Sequence, residues 1–334
     1  MDIIHATDTL EELGFVDDVK LYDAEISQET DAEIESNSFA LTIPESTWES
    51  RPILHGHHVY VPGTEFGGMV EKVQHSTGAK TVTISGLTWR GALYRKVIVP
   101  PAGQTHFVVT DQEANAAISD IIGSTMGVNY RVATNSSGVT VNWQFRYTNT
   151  LVGIHRMLAE AGGALRVNFS QALKRVDLSA APVVDYSDLI DLSQDYGVNM
   201  VTTMGGFDRF NHIIALGAGE LLDRDIVHVY RLSSGGITTT PPAWVGTESD
   251  LVTTYDFTNP ENIADLTKGA EKRLQELVPL NQIEIDPQVE GLALNMGDIV
   301  GARDRLTGMS GKAVVVGKIL SISESGIKQE TRVR

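Results

Sequence analysis

Apolar and polar positions alternate over much of the chain, the period-two signal of half-buried strands. VKLYDAEIS (Val19–Ser27) alternates, FALTI (Phe39–Ile43) is a second short apolar run, and polar ETDAEIESNS connects them. HHVYVPG (57–63), GGMVEKVQ (67–74) and KTVTISGLTW (80–89) follow. STGA joins the last two, with Gly78 supplying a permissive backbone. Strands in such close succession predict a small barrel or sandwich.

The period then lengthens to that of a helix. Thr110 and Glu113 have capping-box spacing. Ala114, Ala117, Ile118, Ile121 and Ile122 share one helical face, and Gly123 is the stop. NYRVAT (129–134) and VTVNWQFRY (139–147) predict strands. A second helix is predicted from about Asn149 to Ala161, with Leu151, Ile154 and Leu158 on one face and Gly162-Gly163 ending it. ALRVNFS (164–170) and LKRVDLS (173–179) predict a hairpin. Helices segregated beside antiparallel strands make an α+β unit.

From 181 to 204 the pattern is weak. RFNHIIALGAG (209–219) and DIVHVYRLS (225–233) predict strands joined by a turn at Glu220–Arg224, before the loop SSGGITTTPPAW (233–244). The clearest helical pattern starts at TNPEN. Asn259 is the expected cap, Pro260 the first helical residue, and Ile263, Leu266, Ala270, Leu274 and Leu277 the buried stripe. NQIEIDP, GDIVGARD, KAVVVGKILSIS and IKQETRVR return to strands, and no internal repeat is found.

Composition narrows the function. The chain has 334 residues, enough for about two or three domains, and is 42% hydrophobic, enough for a buried core. Its 26 basic and 43 acidic residues give a net charge of −17, which opposes a broad nucleic-acid face or adhesion to anionic membranes. The absence of cysteine excludes disulfides, thiolate metal ligands and cysteine nucleophiles. MDIIHATDTLEEL lacks the pattern of a signal peptide, and no apolar run approaches the roughly 18 residues of a membrane helix, so no membrane anchor is expected.

Motifs that carry chemistry are incomplete. In HGHH (55–58), His55 and His57 have H-x-H spacing, but no further ligand motif accompanies them, and a solvated turn before VYVPG is expected. LGAGELL (216–222) begins like a dinucleotide fingerprint, yet Leu222 stands at the third glycine position and a strand follows. TGMSGKA (307–313) fails as a phosphate loop, because Leu306 replaces the first glycine and Ala313 the hydroxyl residue. Both predict turns between strands. No G-x-S-x-G elbow occurs, and no pair among the many carboxylates is singled out. The basic run Arg90–Lys96 reads as the solvated face of a short helix with Leu93 and Val97 buried. Trp89 and Tyr94 are expected to pack within the fold or at a subunit contact. Arg90 and Arg95 either pair with acidic neighbours or are solvated. No residue is assigned a catalytic, cofactor-binding or metal-binding role, and no cofactor is expected.

Several segments together resemble the baseplate or tail hub proteins of long-tailed (siphovirus) phages, the family that also forms the N-terminal hub part of tail-associated lysins. They are SFALTIP (38–44), TEFGGMVEKV (64–73), TVTISGLTWRGALYRKVIVPP (81–101), FNHIIALGAGELLDRDIVHVY (210–230) and MGDIVGARDRLTGMSGKAVVVGKILSISESG (296–326), in family order. The most specific is a strand, a glycine and a short arginine-bearing helix before an Ile/Val-x-Pro exit, here Gly86, Leu93, Arg95, Ile98 and Pro100.

The resemblance implies an α+β, mostly β fold with two small β-barrels plus α+β and helical subdomains, phage tail hub-like. It implies a first barrel over 1–104, an α+β domain over 105–180, and a second barrel over 181–255 with 286–334, whose strands can interleave with the first. A helical subdomain covers 256–285. Within 81–101, a strand over 81–87, a tight turn at Gly86 and a short helix would close the first barrel, and Pro100-Pro101 would direct the chain outward. The implied function is a structural, non-enzymatic hub at the distal tip of the tail. It is a homotrimer adapting a sixfold tail to a threefold tip around the channel. The implied partners are the distal tail protein, the tape measure protein and receptor-binding or tail fibre proteins, with DNA only as passing cargo. Relatives often carry a C-terminal lysin or receptor-binding module. The strand pattern here ends near Arg334, so a minimal hub, or one whose extension has been removed or lies on another protein, is expected. The alternatives are a tail-associated cell-wall hydrolase and the spike-hub of a contractile injection machine.

Overall fold

The computed structural model describes residues 2–28, 34–123, 126–127, 129–193, 200–204, 210–219, 223–257, 260, 262–277, 281–285, 289–290 and 294–333. Strand accounts for 44% of it and helix for 17%, so the α+β, mostly β class holds. The strands lie in several open sheets, and the expected closure into barrels is not seen among the described residues. Two compact units emerge. One comprises Met1–Val198, Ile285–Arg303 and Gly311–Arg334, the other Asn199–Glu284 and Asp304–Ser310.

The first unit is built on a 12-stranded sheet. Its middle is an antiparallel series: Ser310–Ser323, Leu21–Ser27, Ser38–Pro44, Thr81–Thr88 and Gly67–Ser76. The strand Gly326–Val333 pairs with the other side of Ser310–Ser323. Alternation puts Tyr22, Ala24, Ile26, Phe39, Leu41, Ile43, Val82 and Ile84 on one buried face. The helix α1 (Glu45–Ser50) follows Pro44 directly, and Trp48 packs against that core.

Gly86 is not at a turn. It lies inside Thr81–Thr88, opposite a bulge between Val70 and Lys72. A Cβ on Gly86 would stand 1.9 Å from Met69 O, so glycine is required there by close backbone approach. The chain then enters a 3₁₀ turn, Gly91–Arg95, and the two-residue strand Val97–Ile98, which pairs with Thr148–Asn149. After Pro100-Pro101 it continues to the strand Phe107–Glu113.

The helix α2 (Ala114–Ile122) buries the expected Ala117, Ile118, Ile121 and Ile122 and stops at Gly123, whose φ is +43°. Its cap differs from expectation. Thr110 belongs to the preceding strand, and Glu113 is the N-cap, accepting from Ala116 N–H. The Glu113 carboxylate also accepts from Ser137 N–H, so one side chain closes the helix start and a neighbouring turn. The helix α3 (Thr150–Glu160) matches its prediction, with Asn149 as cap accepting from Val152 N–H. Gly163–Ser170 and Arg175–Pro182 form the predicted hairpin, and Tyr130–Val132 joins it in parallel.

The second unit holds a four-stranded sheet in the order Ile237–Thr238, Ile226–Arg231, His212–Leu216, Val252–Asp256. The helix α4 (Ile263–Glu276) lays Leu266, Ala270 and Leu274 on Ile213, Ala215 and Val229. Burial of each leucine contributes about 2 kcal/mol. Ile263, expected in the stripe, is exposed, because the helix begins later than predicted. Asn262, not Asn259, is the N-cap, accepting from Asp265 N–H. Asn259 itself lies outside the described residues.

Candidate functional site

The ionisable groups worth testing for chemistry fall into three clusters. The first surrounds Arg90, whose side chain is only 1% exposed. The basic run from 90 to 96 is therefore not all solvated: Arg90 points inward from the end of Thr81–Thr88, and Val97 is exposed instead. Arg90 Nη2 lies 3.2 Å from Glu65 and donates to Leu165 O at 3.1 Å, and Nη1 donates to His155 Nε2 at 3.1 Å. One guanidinium thus ties the large sheet to α3 and to the 163–170 strand. Arg166, next along, donates to Met296 O and lies 3.4 Å from the fully buried Asp298. Burial lowers the affinity of Lys318 for its proton; Glu65 and Asp298 oppose that, and Arg166 and Arg90 add to it. Three cations face two carboxylates, and all the named bonds hold elements together. Arg95, by contrast, pairs with Glu71 at 2.7 Å on the surface.

Burial and Arg90 lower His155 to about 3. Arginine can only donate, so His155 Nε2 accepts and its proton sits on Nδ1.

The second cluster contains the HGHH stretch. His57 does not converge with His55. Its Nδ1 lies 2.8 Å from Nε2 of the buried His5. Burial, His57 and Arg51 lower His5 to about 4. His58 is buried, bonds through Nδ1 to Thr7 O at 2.9 Å, and stacks on Trp89 at 5.5 Å. Trp89 stacks on Phe169 at 4.7 Å and 10°, placing it in the core. Tyr94 is half-buried against the same core. The solvated turn expected for HGHH is thus a packing element in its second half. The signal that was missed is His5, 52 residues away. Among the described residues no group of three or more His, Asp and Glu is arranged to hold a metal.

The third cluster was not foreseen. His212 Nδ1 lies 2.8 Å from Asp250 and its Nε2 lies 2.9 Å from His228 Nδ1. Burial would raise the Asp250 carboxyl, but the Gly246 N–H and His212 hold it below its ordinary value. Burial and His212 lower His228. A carboxylate orienting an imidazole is half of a nucleophilic triad. Here the second nitrogen meets another imidazole where a triad has a hydroxyl or thiol, so no nucleophile is activated. Parallel pairing brings Asp250, just before 252–256, beside His212, and period-two alternation alone does not reveal it.

The remaining motifs lie at strand ends. LGAGELL links the antiparallel strands His212–Leu216 and Ile226–Arg231, with its Glu220–Leu222 outside the described residues. In TGMSGKA, Thr307–Met309 lie between the neighbouring strands Ile299–Arg303 and Ser310–Ser323, and Ser310–Ala313 open the second of them. No described helix is long and apolar enough to cross a membrane.

The architecture, a large open sheet with α+β additions and a helix-backed four-stranded sheet, is that of phage and prophage tail and baseplate proteins. The chain is similar to the 43 kDa tail protein of prophage MuSo2 from Shewanella oneidensis, with a TM-score of 0.59 at 14% identity over 100% of this chain and 98% of that one. It is similar to a tail protein from Neisseria meningitidis MC58, with a TM-score of 0.54 at 16% identity over 99% and 95%. A chain of the phage P2 baseplate in its activated conformation with Ca gives 0.51 at 11% identity over 100% and 98%. No protein-family model and no curated protein matches the sequence.

Proposed function

We propose that this chain is a structural hub at the distal tip of a phage tail. The observation that carries the proposal is the extent of the fold likeness: it spans 95–100% of both partners in each comparison. A shared module alone would leave large parts of one chain unmatched. The bonds of the three titratable clusters join structural elements, which suits a structural role.

In this role three copies form a ring, each contributing two β units, one over 1–104 and one over 181–255 with 286–334, whose strands interleave with the first, since Ser310–Ser323 pairs with Leu21–Ser27. Three chains then offer six similar faces to a sixfold tail and three to its tip. The distal tail protein, the tape measure protein and receptor-binding or fibre proteins are the neighbours. A closed cyclic ring is the ordinary outcome for a subunit with two complementary faces. The net charge of −17 per chain disfavours adhesion to passing DNA.

The test is the solution mass together with the position in the particle. Sedimentation should give three times 36.3 kDa. Gold-labelled antibody against the chain should mark the tail tip in electron micrographs. A strict monomer that labels no tip would refute the proposal.

A further inference from the structure

The four-stranded sheet of the second unit ends on Val252–Asp256, which among the described residues pairs on one side only, in parallel with His212–Leu216. Phe257 N–H bonds to Leu216 O. Alternation therefore turns the amides and carbonyls of Val252, Thr254 and Asp256 to the other side. None of these has a backbone partner there among the described residues. An unpaired row of this kind is a template for a further strand.

Beside this edge runs an open groove of about 720 Å³ between the strand and α4. Tyr255 and Phe257 line it, and Gly269 lets the Phe257 ring lie against the helix, since a Cβ there would meet that ring at 3.0 Å. Lys268 and Lys272 also line it, one helical turn apart, both exposed. Among the described residues neither has a hydrogen-bond or ion-pair partner. Two of the groove's own carboxylates are engaged, Asp256 with Arg224 and Glu276 with Arg273. Asp265 sits in the first turn of α4, where the helix dipole favours an acid.

The spacing is informative. Residues four apart on a helix stand about 6 Å apart, and alternate side chains of an extended strand are separated by about 7 Å. We infer that this edge and groove take up an extended segment of a partner protein with acidic side chains at alternate positions, added as a strand beside Val252–Asp256. Backbone bonds supply the affinity, and the lysines select the acidic sequence. The inference rests on the geometry of this unit and not on the proposed place in a tail.

The probe is a short end-blocked peptide alternating Thr and Glu, titrated into the full chain. It should bind, and its Thr/Lys counterpart should not. Lys268→Glu with Lys272→Glu should weaken binding at least about tenfold, as should N-methylation of alternate peptide amides. The methylated peptide leaves the protein untouched, so its result does not depend on a variant folding. Thr254→Pro, tolerated at an edge whose N–H is free, should abolish binding with the circular dichroism spectrum unchanged. Absence of binding, or equal affinity for the methylated peptide, would overturn the inference. So would self-association that Thr254→Pro removes while the peptide fails to bind, since the edge would then serve a second copy.

Discussion

Arg90 and His155 share a buried hydrogen bond, Nη1 to Nε2 at 3.1 Å, and the histidine is held neutral first by burial and then by the fixed charge of its neighbour. That asymmetry links folding to pH. His155 sits at about 3 in the native chain, lowered by burial and then by Arg90, and near 6.5 when unfolded. Between these values the unfolded chain binds a proton that the native one refuses. The stabilisation is complete above pH 6.5 and is lost as pH falls through that window, by about 2 kcal/mol at pH 5. His5, at about 4, acts with the same sign. Urea midpoints should fall between pH 7 and pH 5. His155→Gln keeps an acceptor and should remove about one proton from the dependence. An unchanged slope in that variant would exclude His155 as the source.

Arg90 also carries the charge of Glu65, which is 16% exposed. Arg90→Met leaves that carboxylate and the Leu165 carbonyl without their donor, and should cost about 3–5 kcal/mol in chemical denaturation. Combining it with Glu65→Gln should recover part of the loss, because the orphaned charge disappears. A double variant no more stable than the single one would show that the guanidinium acts through packing alone.

Gly86 and Gly78 provide a contrast in one hairpin. Gly86→Ala forces a methyl to 1.9 Å from Met69 O, whereas a Cβ at Gly78 meets nothing within 4 Å. Thermal melts should place Gly86→Ala at least about 2 kcal/mol below wild type and Gly78→Ala within about 0.5 kcal/mol of it. Equal effects would mean that the strand relaxes around the bulge.

Glu113→Ala removes the α2 cap and the bonds to Ser137, and should cost about 1–2 kcal/mol. Thr110→Ala, at an exposed strand position, should be near neutral. The reverse order, read by hydrogen exchange over α2, would restore Thr110 as the cap.

These cases show what local sequence encodes. The boundaries of α3 were legible because a 3.6-residue stripe and a Gly-Gly stop fall within fifteen or so residues. That LGAGELL joins two strands was legible for the same reason, since a strand pattern resumes at once. Arg90 was not, because what buries it arrives from 25 residues earlier and 65 later. The His5–His57 and His212–Asp250 contacts are likewise products of strand pairing. The cap was expected one turn early because Asn259-Pro260 offers a local signal as good as that of Asn262.

The strand Ser310–Ser323 is hydrogen-bonded to Leu21–Ser27, nearly three hundred residues earlier. The side of Leu21–Ser27 that this strand covers therefore stays bare during synthesis until Ser310–Ser323 has been made. Until then the nascent polypeptide is exposed to edge-to-edge sticking along that strand, and the large sheet matures only when its distant partner arrives.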